Sequence, residues 1–525
     1  MGQAYDAIVI GAGHNGLTCA CYLARAGFKT LVLDQYHMVG GMATTEEVTL
    51  PGFRSDLHAF GFQFANLSPV PAELGLAEFG LELIRPEINH SQVFPDGRII
   101  SLYRDVDDTI ASIGRYSKKD AETWRRLAGE FVTNKASIAA WMNSPPQSLL
   151  SETQQTVRAP NGMDAYRTSL QSLRSWANEH FECEETRIFI GAWAAHVGLG
   201  PDDVGGGHMA LLFASLIQDV GSRAVKGGMH HLPLALSAYL RSRGGEVRTG
   251  AHVSNITVRG GRAVGVRLES GEDIEVGNAG VIACNADPYQ LIVDFLGEDI
   301  VGADLVAKMQ RYEWGDSYMT MYCALDAPVT YKAGPQAQAS PYVHACDPSL
   351  AYFASLYAEC RSGQLPAFPF VLMCNDSVID PSRAPAGKAV MKMIVHNVPY
   401  EIRGDATGKI GRRDWESVKE PYADYLIDFL TETYAPSLKG SILKRVVHSP
   451  LDMEQRMMSA VRGTATHGAF LPYQSGAQRP LPELAQYRAP VPNVYLCGSG
   501  SHPGGGISMA PGHNAAKTIL SDLSA

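Results

Sequence analysis

A short apolar run from Asp6 to Ile10, rich in β-branched residues, reads as a strand, and the apolar positions of LTCACYLARAGF just beyond it recur at helical spacing. Between them stands Gly11-Ala12-Gly13-His14-Asn15-Gly16, so the order is strand, glycine turn, helix. A second strand, KTLVLD, follows and ends in Asp34. Residues 118–220 carry mostly helical periodicity, as in KKDAETWRRLAGEFV and HMALLFASLIQDV. A helix is expected from about Leu232 to Ser242, then a turn at Gly244-Gly245. The stretch VRTGAHVSNITVRGGRAVGVRL alternates as a strand pair folded around Gly260-Gly261. From 314 to 400 stand three candidate strands, SYMTMYCALD, FPFVLMCND and AVMKMIVHNV; their Met, Tyr and Phe suit either the wall of an apolar cavity or plain core packing. The last element, residues 491–520, reads VPNVYLCGSGSHPGGGISMAPGHNAAKTIL: a strand, a glycine-dense turn, and a helix opening near Pro511, where proline suits the first helical turn.

The first turn carries nucleotide chemistry. Gly11 permits the tight bend, Gly13 lets backbone approach a pyrophosphate, and Gly16 lets helix and strand pack closely, with the helix N-terminus aimed at the phosphates. Asp34 lies about twenty residues on, where a carboxylate accepts hydrogen bonds from ribose hydroxyls. Gln35 and Tyr36 follow it and give a 2′-phosphate no cationic partner, so NADP is disfavoured and FAD and NAD remain. The C-terminal glycine turn favours FAD. A second phosphate-loop-like element at the far end of the chain suits a long cofactor gripped from both sides, a clasp that NAD does not need.

Composition removes other classes. A chain of 525 residues that is 45% hydrophobic buries a large core, and length alone suggests roughly three or four domains. With a net charge of −10 and no Lys/Arg run longer than the Lys118-Lys119 pair, there is no electrostatic footprint for nucleic acid. No apolar run reaches the 18 or so residues of a membrane span, and the strand pattern begins too soon for a leader, so a soluble, cytoplasmic protein is expected. HMALLFASLIQDV reads as a buried core helix; as a lipid-facing lip it would give a peripheral membrane contact. Nine cysteines without CxxC spacing indicate neither a zinc site nor a disulfide framework, and Cys19 and Cys21 point to different helix faces, which excludes the dithiol of disulfide-reducing flavoenzymes. No metal site is expected.

The quoted N-terminal stretch, extended to DQYHMVGGMATTEEVTLPGF, together with YLCGSGSHPGGGISMAPGHNAAKTIL and the central AVKGGMHHLPLALSAYLRSRGGEVRTGAHVSNITVRGG, resembles the phytoene desaturase-like FAD-dependent oxidoreductases, in the branch of pyridine nucleotide-disulphide oxidoreductase domain-containing protein 2. The resemblance implies an α/β fold: a discontinuous Rossmann-type FAD-binding domain at 1–65, 222–290 and 460–525, with an inserted α+β substrate domain at 66–221 and 291–459. It implies non-covalent FAD, with Gly11, Gly13, Gly16 and the pair Gly40 and Gly41 at the pyrophosphate, Asp34 at the adenosine ribose and Val253 by the adenine. Gly498, Ser499, Gly500, Gly505, Gly506 and Ile507 would line the flavin and its ribityl chain. Two positions depart from the family pattern. Met42 stands where an arginine often follows the second glycine pair, and Ser499 stands where an acidic residue often follows the C-terminal strand.

No HExxH, GxSxG or paired-carboxylate signature is present, so hydrolysis has no handle and redox chemistry falls to the flavin. A flavin takes a hydride, and the protein supplies position and one base for the departing proton. Histidine is the base type at neutral pH. His502 in GSHPGGG, His230 after Gly227-Gly228, His467 in TATHGAF and His58 in FRSDLHAF are the candidates, and a turn residue bonded to its own loop is the plain alternative for His502. The expected reaction is oxidation of a largely apolar organic substrate. Rivals are a flavin-dependent polyene isomerase, a FAD-binding regulatory protein with little turnover, and an amine oxidase. With no second GxGxxG between a strand and a helix, oxygen or a quinone is the expected electron acceptor. Oligomeric state is not fixed by the sequence.

Overall fold

The computed structural model describes residues 4–411 and 413–524. Tyr5–Ile10 is a central strand because both of its faces are apolar and both are covered. Ala7 and Val9 pack with residues of the helices His14–Arg25, His231–Ser242 and Ala510–Ser524, whereas Ile8 and Ile10 pack with Val253, Val266 and Leu296 on the other side. The strand runs parallel between Thr30–Leu33 and the C-terminal half of Asp273–Cys284, and Glu246–Arg248 and Val494–Leu496 extend the parallel array outward. The N-terminal half of Asp273–Cys284 leaves that array and pairs antiparallel with Arg262–Leu268, itself half of the expected hairpin with Val253–Arg259. Gly260 (φ 58°) and Gly261 (φ 76°) supply the left-handed backbone that this turn requires. The parallel strands end together at Ile10, Leu33, Cys284 and Leu496, and the crevice beyond such ends is where α/β sheets bind ligands.

A second, seven-stranded sheet runs in spatial order Ile442–His448, Ser317–Leu325, Ala389–Val398, Phe370–Cys374, Tyr342–Ala345, Ile88–Val93 and Ile99–Tyr103. All neighbours are antiparallel except Tyr342–Ala345 beside Ile88–Val93. The three Met-, Tyr- and Phe-rich stretches lie at its centre, and strand alternation gives their two faces different work. Met319, Met321, Met373, Met391 and Met393 join the core shared with the helix Trp415–Thr433, so the methionines are packing. Tyr318, Phe370, Leu372 and Ile394 face Glu184–His196 and Gly206–Val220 instead. In the latter helix Ala210, Phe213, Ala214 and Ile217 are buried in that core.

The fold is α/β, with one largely parallel sheet of strands from 5–33, 246–284 and 494–496, and a second mixed sheet from 88–103, 317–398 and 442–448. The stretch 400–460, without any assignment from the sequence pattern, holds Trp415–Thr433, Ile442–His448 and the helix Pro450–Arg456. Ser449 and Asp452 form a reciprocal capping box that fixes where that last helix starts. Among the described residues no helix is long and apolar enough to cross a membrane.

Candidate active site

The glycine turn closes on itself and leaves room for little else. A β-carbon on Gly16 would lie 2.1 Å from the Gly11 carbonyl oxygen, and one on Gly41 would lie 3.3 Å from Gly13 Cα. Gly40 N–H donates to the Ala12 carbonyl at 2.9 Å, which clamps the second glycine pair against the first turn. No side chain caps the helix His14–Arg25, so its N-terminal amides are open to an anion. Asp34 sits against the same turn: it accepts from Ala12 N–H at 2.6 Å and from Tyr36 N–H at 2.8 Å. Burial raises its pKa, and those two amides oppose the shift. Gly11, Gly13, Asp34, Gly41 and Val253 line one narrow cleft together with Asn285 and Arg456.

From the opposite side comes the C-terminal turn. Gly498 and Gly500 pack against the chain at 285–288, since β-carbons there would lie 2.8 Å from the Asn285 carbonyl oxygen and 2.2 Å from Pro288 Cδ. Ser499 Oγ accepts from Asn15 Nδ2 at 3.0 Å, which ties this turn to the first helix. Gly505 backs on Thr466, Gly506 on Phe64, and Ile507 is buried. The buried Arg479 binds the assembly together: its guanidinium donates to the carbonyls of Thr466 at 2.9 Å, His467 at 3.0 Å, Ala469 at 3.3 Å and Ser499 at 3.3 Å. It thereby fixes the segment that carries His467.

The four candidate histidines fall into different settings. His467 Nδ1 lies 2.9 Å from the Ser459 carbonyl, so that nitrogen holds the proton and Nε2 keeps the lone pair. Burial lowers its pKa to about 4. Its neighbours include His14, also held near 4 by burial, and Asp287, whose carboxyl is pushed well up by burial and lies 3.9 Å from His467 Nδ1. His58 is buried with neither ring nitrogen partnered among the described residues, on a backbone pinned by Lys392 Nζ, which donates to the His58 and Ala59 carbonyls at 2.9 and 2.8 Å. His230 takes its place through its own N–H, which donates to Thr45 Oγ1 at 3.0 Å, and its Nε2 is unpartnered. His502 is fully buried and points elsewhere. Its Nε2 donates to the Trp141 carbonyl at 2.9 Å and its ring meets the Trp141 ring edge-on at 4.5 Å, a contact outside its own loop.

Comparison with known proteins assigns this geometry. The family of flavin containing amine oxidoreductases matches residues 16–315. A pyridine nucleotide-disulfide oxidoreductase domain-containing protein 2 from Mus musculus is 30% identical, covering 99% of this chain and 94% of its own length. The chain belongs to this flavoenzyme family. A limonene dehydrogenase component from Castellaniella defragrans is also 30% identical, over 99% of this chain and 95% of its own. Phytoene desaturase (lycopene-forming) of Pseudescherichia vulneris is 24% identical, over 98% and 99%. Among solved structures, cyclohexylamine oxidase from Brevibacterium oxydans shares the fold, with a TM-score of 0.60, 16% identity and full coverage of both chains. The protein is a phytoene desaturase-like, FAD-dependent oxidoreductase.

The residues present fit FAD on their own geometry, because the cleft pairs a glycine cradle that β-carbons would fill with a carboxylate held against it. Met42 brings no charge to the cleft, and the cation that lines it belongs to another part of the chain. Arg456, at the end of Pro450–Arg456, lines the cleft; it donates to Tyr36 Oη at 2.7 Å, pairs with Glu46, and has its guanidinium carbon 4.6 Å from the Tyr36 ring centroid. Its Nε is buried without a partner among the described residues. Arg456, Asn285 and Arg479 carry no local motif, and only the capping box just before Arg456 was a readable signal. A separate cavity of about 560 Å³ has a charged, open lining that includes Asp203, Asp316, Arg361, Arg403, Arg462 and Tyr473.

Proposed function

We propose that this FAD-dependent oxidoreductase dehydrogenates a largely apolar organic substrate, removing a hydride and a proton, with oxygen or a quinone-like compound as electron acceptor. FAD, when bound, supplies the hydride acceptor. Segments 1–65, 222–290 and 460–525 hold the cofactor in this reading, and 66–221 and 291–459 enclose the substrate. The observation that carries it is an aromatic core beside the clasp. Trp193, Phe213 and Phe370 form its interior, and the half-buried Met42, Phe64, Phe470 and Leu471 pack against it, with Phe64 beside Gly506 and Phe470 beside Gly504 of the C-terminal turn. Such a wall excludes water and recognises hydrocarbon surface. Two relatives are named for hydrocarbons, limonene and phytoene, which supports the same substrate class.

Within this reading Gly11, Gly13, Gly16, Gly40 and Gly41 receive the pyrophosphate, Asp34 the ribose and Val253 the adenine. Gly498, Ser499, Gly500, Gly505, Gly506 and Ile507 lie along the ribityl chain and flavin. His467 takes the proton, because its tautomer is set by Ser459 and its backbone is clamped by Arg479. His58 and His230 remain candidates, each with a ring nitrogen unpartnered among the described residues, and His502 is assigned to packing. Nine unpaired cysteines, eight of them buried, suit the reducing cytoplasm. Anaerobic bleaching of the flavin across a panel of isoprenoids, cyclic ketones and amines tests the reading. Bleaching by isoprenoids with products lighter by two hydrogens is expected. Products of unchanged mass would make the protein an isomerase, and bleaching by amines alone an amine oxidase.

A further inference from the structure

Four imidazoles converge on the helix-covered face of the second sheet. His396, His344 and His90 come from the strands Ala389–Val398, Tyr342–Ala345 and Ile88–Val93, and His196 ends the helix Glu184–His196. One ring nitrogen from each of His196, His344 and His396 lies within 4.8 Å of the other two. His196 Nδ1 and His396 Nε2 are 3.2 Å apart. Two imidazole nitrogens bound to one tetrahedral Zn²⁺ at about 2.0–2.1 Å are themselves about 3.3 Å apart, so this pair already has ligand spacing.

The strands are bent to aim these rings. The ladder between Ser317–Leu325 and Ala389–Val398 slips by one residue, and Asn397, next to His396, takes the left-handed conformation at φ 57°. A β-bulge of this kind re-aims the side chain beside it. Asn397 Nδ2 donates to Asp316 Oδ2 at 2.7 Å and holds the bulge open. A second register shift falls between Ile88 and His90. On the helix side, Tyr318 Oη donates to the His196 carbonyl at 2.8 Å.

Aromatic rings pack against the cluster, and the buried Lys392 ammonium is near enough to act on His196. Phe370 stacks on His396 at 4.9 Å and lies 4.8 Å from His344; Trp193 is 5.0 Å from His344, and Phe60 meets His196 edge-on at 5.0 Å. Neither nitrogen of His344 or His90, nor Nδ1 of His396, has a partner among the described residues, and all three side chains are fully buried. Buried polar atoms without partners are uncommon and call for a ligand. Gly198 and Val398, each two residues beyond a ring of the cluster, line the 560 Å³ cavity, so its wall runs beside the cluster.

We propose that His196, His344 and His396 bind one divalent transition-metal ion of the Zn²⁺ class, with the fourth position reserved for an anion. Three neutral imidazoles leave the ion's double charge uncompensated inside a shell of aromatic rings, so hydroxide or an anionic oxygen of a small molecule completes the set. The sequence hides this site because its ligands share no spacing pattern.

The test uses the FAD-loaded full chain. After treatment with a chelator and desalting, the protein is loaded with Zn²⁺ or Co²⁺, desalted again and its metal content measured. Roughly one ion per chain is expected, with Co²⁺ giving the intense visible bands of a tetrahedral site. His344→Asn and His396→Gln should each weaken Zn²⁺ binding on the order of a hundredfold while flavin content is retained. Should either variant fail to fold, the Co²⁺ spectrum of the wild-type protein decides alone. Absence of tetrahedral bands, or metal uptake that survives in folded variants, overturns the assignment.

Discussion

Gly13→Ala separates the cofactor's demand for space from the protein's own. A β-carbon on Gly13 meets Asn285 Nδ2 at 2.9 Å and otherwise only Asn285 Cγ at 3.9 Å. That amide donates to the Gly11 carbonyl at 3.3 Å, so swinging it aside costs about 0.5–1.5 kcal/mol, the worth of one neutral hydrogen bond. Gly13 sits at φ −67°, which alanine adopts freely, and the substitution restricts the unfolded chain by about 0.4–1 kcal/mol in the folded state's favour. The two terms nearly offset, so flavin-free stability should change by less than about 1 kcal/mol. The pyrophosphate has no such freedom. A methyl in its path overpacks the site by about 1–3 kcal/mol, which is roughly a 5- to 150-fold loss of FAD affinity, and Gly13→Val should abolish binding. Gly16→Ala is the contrast: its β-carbon would lie 2.1 Å from the Gly11 carbonyl oxygen and 2.9 Å from Asn285 Cβ, so the turn itself must break. Melting of the flavin-free proteins and titration with FAD, followed by flavin fluorescence, read the two effects separately. Wild-type FAD affinity in Gly13→Ala, or a melting loss equal to that of Gly16→Ala, would refute the placement of the pyrophosphate.

Arg456→Met should weaken FAD binding by roughly 10- to 150-fold, the value of about 1.5–3 kcal/mol for a charged hydrogen-bonding group, and titration with FAD checks it. His467→Asn should retain flavin yet slow substrate-driven bleaching by on the order of 10²-fold or more, whereas His502→Asn should lower the melting temperature and leave the bleaching rate within a few-fold. Burial raises the Asp316 pKa to about 6, so folding favours its protonated form, and its contribution to stability is lost as pH rises from about 4 to about 6. Asp316→Asn should therefore melt higher than the wild type above pH 6 by the equivalent of about 1–3 kcal/mol, a gap that closes near pH 4; a gap independent of pH would exclude this cause. Stopped-flow reoxidation should be fast with oxygen or quinones, and rapid reoxidation by NAD⁺ or NADP⁺ alone would overturn the proposed acceptor.

Features fixed by neighbours in the chain were legible in advance. The strand, turn and helix at Gly11 to Gly16, the hairpin at Gly260-Gly261 and the central strands of the second sheet depend on local alternation and on glycines that reach positive φ, and the structure contains them. The two faces of those central strands were not separable, because alternation alone does not say that Met391 and Met393 meet Trp415–Thr433 while Ile394 and Phe370 meet Trp193.

What stayed hidden depends on contacts across hundreds of residues. The departure at Met42 marks a missing charge, yet nothing in the sequence says that Arg456 lines the same cleft, since it is the Pro450–Arg456 helix and its Ser449 cap that carry it to Tyr36. Arg479 is the stronger case. A lone arginine between turns reads as a surface residue, but here it is wholly buried and spans the carbonyls of residues 466 to 469 and of Ser499. A buried guanidinium is tolerated only where acceptors surround it, so the positions of those carbonyls and of the charge define each other. The backbone of His467 is thus held by a residue twelve places further along the chain, and the proposed choice of His467 among the four histidines rests on such packing.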